Sequence, residues 1–147
     1  MTLGERVAKA GLTLPPAFRP VASYVGVARA GAQLHVSGMG PTEGPNIVEA
    51  GKISGAADLA KAKRAAWLTG LNLLAQIEPG ARVVKPLKVF ALVNCAPDFA
   101  ALEEAVAPAR DLFARLFGHP GAWTLVGSPC LPFAITTEME AIFALEE

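Results

Sequence analysis

Two glutamates, Glu138 and Glu140, stand two positions apart in the run from Thr136 to Leu145. In an extended strand, side chains alternate across the sheet, so Glu138, Glu140, Ile142 and Ala144 share one face. Met139, Ala141, Phe143 and Leu145 share the other. Two carboxylates on one strand face form a candidate general acid/base pair; the plainer reading is the solvated end of a strand. His35 and Ser37 also share a strand face. A Ser/His nucleophilic pair needs an orienting acid and an oxyanion site, and the sequence shows neither. His119, before Pro120, reads as loop structure. No His/Cys/Asp cluster has metal-ligand spacing, so neither metal nor other cofactor is expected. Gly38-x-Gly40-x-x-x-Gly44 brushes against phosphate-loop patterns, but it opens no helix and its spacing is wrong. Lys61, Lys63 and Arg64 have no aromatic interleaved with them and read as a solvated helix face.

The elements that must hold these residues follow from breakers and periodicity. From Leu116 to Thr137 there is no charged residue. A bilayer would accept that length, but Gly118, Pro120, Gly121, Gly127, Pro129 and Pro132 break it too often for one spanning helix. It reads as a buried strand, AWTLVG, a turn, SPCLPF, and entry into a second strand, ITTEMEAIFAL. At the other end, Thr2 and Glu5 have capping-box spacing, which predicts a short helix closed by Gly11. Tyr24–Ala28 and Gln33–Ser37 flank Arg29–Ala32 and predict a β-hairpin. Gly38–Gly55 is loop-like. Ala56–Ile77 is the clearest helix, stopped by Pro79-Gly80. Val83–Val93 follows as a strand, central in its sheet because both faces become apolar. Pro108 divides the next helical region into Asp98–Val106 and Pro108–Phe117. Hairpin, helix, strand, helix, strand, strand gives an α+β domain, residues 1–147, with a mixed sheet and both helices on one face. The other face must be buried elsewhere, which predicts an oligomer.

Composition agrees with a globular oligomer and excludes some partners. The 147 residues carry no net charge, so no electrostatic footprint for nucleic acid or an anionic membrane is present. Hydrophobic residues make up 52% and charged ones 18%, an apolar excess that a subunit interface would absorb. Cys95 and Cys130 form no disulfide framework and sit in apolar surroundings. With no signal peptide visible, a cytoplasmic location is expected.

The residues that remain unexplained carry a resemblance. LGERVAKAGLTLP, YVGVARAGAQLHVSGMGP, AAWLTGLNLLAQI, VFALVNCAPDF and LFGHPGAWTLVGSPCLPFAITTEMEAI together resemble the YjgF/RidA family, also labelled L-PSP endoribonuclease-like. The closing signature, LP with a Glu seven positions after its Leu and then x-E-A-I, is the most specific part. The resemblance implies a chorismate-mutase-like α+β subunit, a homotrimer with a central barrel, and ligand clefts between subunits. It implies hydrolysis of reactive imines and enamines, with an arginine clamping the substrate carboxylate and a glutamate activating water. Carried over by position, the catalytic glutamate is Glu138. Tyr24, Ser37 and Gly38 fall on substrate-binding positions.

The arginine falls on Trp123, with no gap between Trp123 and Leu131. An indole offers one N–H donor and no charge. Losing one partner of a desolvated charge pair costs roughly 2–5 kcal/mol. A standard 2-imino acid is therefore an unfavourable substrate, and Trp123 is expected either to form a flat apolar wall for a neutral ligand or to plug an unused cleft. The expected function is small-molecule hydrolysis of the imine-deaminase type. The alternatives are a non-catalytic metabolite-binding trimer and, against the neutral charge, an endoribonuclease or translation inhibitor.

Overall fold

The computed structural model describes residues 1–20 and 22–146. Its first element, α1 (Leu3–Lys9), opens on the expected capping box: Thr2 Oγ1 accepts from the Glu5 amide and Glu5 returns a bond to the Thr2 amide. Leu3 and Val7 are the buried side of α1, and Gly11 follows it at φ +67°. The hairpin forms later than its sequence suggests. Strand β1 is Val27–Ala30 and β2 is Gln33–Met39, so Arg29 and Ala30 belong to the strand and Gly31-Ala32 alone make the turn. Gly31 at φ +56° supplies the left-handed residue that a two-residue hairpin turn needs. The glycine-rich loop that follows holds a small second hairpin, β3 (Thr42–Glu43) and β4 (Asn46–Ile47).

Helix α2 (Leu59–Ala75) begins three residues later than expected, after a 3₁₀ turn at Ala56–Asp58. Strand β5 (Val83–Asn94) runs into helix α3 (Leu102–Phe117), which is one helix rather than two pieces. Pro108 lies inside it. The lost hydrogen bond falls on the carbonyl of Glu104, an exposed residue that water can reach, while Ala105, Val106, Ala109, Leu112 and Phe113 anchor the turns on either side. Gly118 ends α3 at φ +71°, as its type and position suggest. Strand β6 (Ala122–Ser128), a 3₁₀ turn at Pro132–Ala134 and strand β7 (Thr137–Leu145) complete the described chain.

The five long strands form one mixed sheet in the order β1-β2-β7-β5-β6, in which β5 and β6 are parallel and the other neighbours antiparallel. Strand β5 is internal, as its apolar faces predict. Helices α2 and α3 lie on one face and pack on each other through Gly70. A Cβ at Gly70 would sit 3.3 Å from both Ala109 and Leu112, so the two helices approach closely there. Phe143 of β7 lies under α3, edge-on to Phe113 at 5.8 Å and tilted against Phe117 at 6.1 Å. The opposite sheet face carries Lys88, Phe90, Leu92, Val126, Glu138 and Glu140, and among the described residues no helix lies over it. Among the described residues no helix is long and apolar enough to cross a membrane.

Candidate functional site

Strand β7 positions Glu138. Its register sets Glu138 opposite Leu92 of β5, so the carboxylate stands beside an apolar side chain on the uncovered face. Glu138 is half-buried. That burial pushes its carboxyl above the ordinary carboxylate value, and the negative charge of Glu140 on the same strand face pushes in the same direction. Glu140 itself is exposed. The two glutamates thus have different environments, the condition that gives paired carboxyls different tasks. Among the described residues no donor bonds to either carboxylate oxygen of Glu138.

Gly38 explains how the carboxylate fits. A Cβ built there would lie 2.3 Å from Glu138 Oε1 and 3.2 Å from its Cδ. The β2–β7 register advances from Val36↔Ala141 to Met39↔Met139, three residues against two, so β2 bulges at Ser37-Gly38 beside Glu138. Bulges re-aim side chains and interrupt pairing, and are over-represented next to active sites. Ser37 uses this bulge to hold the preceding segment. Its Oγ donates to the Val25 carbonyl at 2.6 Å and its amide donates to the Gly26 carbonyl at 2.9 Å. Its one hydroxyl proton is therefore committed to the backbone. Tyr24, which precedes that tether, is 56% exposed and turns towards the cavity in front of Glu138.

That cavity has a volume of about 250 Å³. Phe18, Tyr24, Met39, Ile47, Phe133 and Ile135 give it an apolar wall, while Gly38 and Glu138 lie at its polar end. Tyr24, Gly38 and Glu138 therefore line one cavity, and Ser37 precedes Gly38 in the bulge. Trp123 lies apart from this group. It pairs with Val89, on the helix side of the sheet, and its ring packs at 6.0 Å from Phe113. Its Nε1 donates to the Pro120 carbonyl at 2.8 Å. Within the chain, Trp123 is a packing residue rather than a wall of the Glu138 cavity. Trp123→Ala should lower unfolding stability by about 2–4 kcal/mol, measured by denaturant titration. His35 faces a different, shallower depression with Lys88 and Glu140, and His119 accepts from the Gly121 amide in the loop after α3. Among the described residues no group of His, Cys, Asp and Glu could hold a metal ion.

Two positioning residues escaped sequence reasoning. Asn72, on the buried face of α2, donates to the carbonyls of Gly40 at 2.9 Å and Thr42 at 2.8 Å. It fixes the loop that carries Pro45 and Ile47 into the cavity wall. A lone Asn within Leu71-Asn72-Leu73-Leu74 was the available signal, since a buried amide demands partners. Asn94 does the same for the β6–β7 turn, donating to the Ile135 carbonyl at 3.2 Å while its Oδ1 accepts from Lys52 at 2.9 Å. Asn72→Leu should cost about 1–3 kcal/mol, because the part-buried carbonyls of Gly40 and Thr42 lose the amide that ties them to α2. It should also speed amide exchange at the loop from Gly40 to Val48, readable by hydrogen–deuterium exchange.

No family model matches the chain. A curated relative, protein TCP17 of Trypanosoma cruzi, is 29% identical over 142 residues, covering 92% of this chain and 89% of its own length. The structure of Atu1372 from Agrobacterium tumefaciens, a protein of unknown function, superposes with a TM-score of 0.83 at 30% identity over 98% of this chain and 92% of that one. A proposed endoribonuclease from Shewanella oneidensis gives a TM-score of 0.83 at 22% identity, covering 99% of this chain and all of that one. The YjgF gene product of Escherichia coli shares the fold at a TM-score of 0.60 and 21% identity, covering 90% of this chain and 94% of its own.

Proposed function

Because this chain belongs to the YjgF/L-PSP endoribonuclease-like family, we propose that it hydrolyses a small imine or enamine, with Glu138 as the group that handles the proton of the attacking water. The observation that carries this reading is the pairing of Glu138 with Gly38. A carboxyl of raised pKa is seated against a side-chain-free bulge in a largely apolar cavity. A base of raised pKa is better matched to proton transfer near neutral pH than an ordinary carboxylate. Water adds to the carbon of the C=N bond as one of its protons passes to Glu138. The nitrogen of the resulting carbinolamine takes back the proton held by Glu138. The C–N bond breaks as the hydroxyl oxygen forms the C=O bond and gives its own proton to the departing nitrogen by way of Glu138, and a carbonyl compound and ammonia leave. No oxidant or cofactor is consumed.

The substrate is not a standard 2-imino acid. Among the described residues no Lys, Arg or His lines the cavity, and Trp123, at the position of the family's arginine, packs on the helix side of the sheet and brings no charge to it. The uncovered sheet face, the exposed Val84 and Val126 and the apolar composition support a homotrimer in which that face is buried and the cavity opens towards a neighbouring subunit. Two free cysteines, one buried and one exposed, fit a reducing cytoplasm. The test is release of ammonia from imines generated in situ, with wild type compared against Glu138→Ala. Ligand binding with no release in wild type would instead assign a binding trimer.

A further inference from the structure

The Glu138 cavity also says what its ligand looks like, given the hydrolytic reading above. Its one charged group is a carboxylate. Around that carboxylate stand three aromatic rings, Phe18, Tyr24 and Phe133, and among the described residues no cation. A half-buried carboxylate without a basic partner repels a second anion and favours a cation or an N–H donor. Aromatic faces add attraction for a cation and area for an apolar body.

Phe133 is the most telling of the three. It is 70% exposed, the highest among the exposed large hydrophobic residues, yet it lines the cavity. It and Ala134 both hold left-handed backbone, at φ +56° each. For a residue with a side chain that conformation costs about 1–2 kcal/mol, and neither position uses glycine. The turn is held there from outside. The Gly51 amide donates to the Ala134 carbonyl at 2.7 Å, and Thr136 Oγ1 donates to the Gly51 carbonyl at 3.0 Å. Folding of the single chain leaves most of this ring outside the core. Strain of this kind collects at ligand sites.

We infer that the cavity takes a carboxylate-free, amine-derived ligand: a small aryl or alkyl imine whose protonated nitrogen faces Glu138 and whose apolar body lies against Phe133. The volume of about 250 Å³ falls just below the roughly 300–1,000 Å³ of drug-sized sites, which suits a molecule of about one ring.

Matched probes separate this from the hydrolytic reading. Benzylamine and phenylacetate share a ring and differ in the sign of the charge. By calorimetry, benzylamine should bind wild type and phenylacetate should not. Phe133→Ala should weaken benzylamine about tenfold, and Glu138→Gln at least about 30-fold. Phe133→Leu, apolar but without the ring, should fall between wild type and Phe133→Ala. The side chain of Phe133 is exposed, so the two Phe133 variants should melt with wild type. Turnover is then compared for the benzylamine-derived imine and the phenylalanine-derived imino acid. Phenylacetate binding as tightly as benzylamine overturns the inference. So does benzylamine binding that is absent, or unmoved by either substitution. Benzylamine binding without turnover of its imine would remove the hydrolase and leave the ligand class standing. Faster turnover of the imino acid would remove the ligand class and leave the hydrolase.

Discussion

Glu138→Gln should abolish turnover while leaving the protein folded. A positioned general base contributes about 10²–10⁴-fold, and no other carboxylate can replace it, because Glu140 is exposed and lies against the His35–Lys88 depression rather than the Glu138 cavity. Stability should move the other way. The folded-state pKa of Glu138 is raised, so the charged form is disfavoured by folding, and above the ordinary carboxylate range this group costs stability. That cost disappears as pH falls below the unfolded value, where the carboxyl is protonated in both states. Glu138→Gln should therefore melt slightly higher than wild type at pH 7, and the difference should vanish in acid. The acid limb of the wild-type pH–rate profile should lie above the ordinary carboxylate range. Glu140→Gln should move it down by removing the neighbouring charge. A Glu138→Gln variant with wild-type turnover, or an acid limb unmoved by Glu140→Gln, would remove Glu138 from the role given to it here.

What the sequence conveyed and what it withheld have separate physical causes. Period-two alternation in β7 put Glu138 and Glu140 on one face, and the structure keeps them there. The capping box, the Gly118 stop and the internal position of β5 were readable because each depends on local chemistry. Pro108 misled because a missing hydrogen bond was weighed without the packing of Ala105, Ala109 and Leu112, which holds α3 together across it. Trp123 shows another limit. Alignment to a family pattern gives a position along the chain, but the side chain's destination depends on Phe113 and the Pro120 carbonyl. The cavity wall was the least legible part. Phe18, Ile47 and Phe133 come from three separated segments: Phe18 packs against the core, Asn72 ties down the segment before Ile47, and Asn94 and Gly51 hold the turn that carries Phe133.

Gly38→Ala tests the site's geometry apart from its chemistry, and its expected signature is a large loss of activity with a small loss of stability. The backbone at Gly38 does not need glycine for its angles, since it is absent from the positive-φ residues of the chain. It needs glycine for space. The atom that a new Cβ would strike at 2.3 Å is Oε1 of Glu138, the far end of a flexible side chain, with Cδ and Cγ at 3.2 and 3.4 Å behind it. A rotation of the glutamate relieves the clash without moving either strand, so the melting temperature should change little. The rotated carboxylate no longer faces the reacting carbon, and displacement of a catalytic group by about 1 Å can cost on the order of 10²-fold in rate. A structural role for Gly38 would give the opposite pattern, with a fall in melting temperature and near-normal turnover of the folded fraction. The double variant Gly38→Ala/Glu138→Gln closes the cycle. If Gly38 acts only by seating that carboxylate, the second substitution should add nothing to the loss of Glu138→Gln alone. A further drop in the double variant would mean that the bulge contacts the substrate directly.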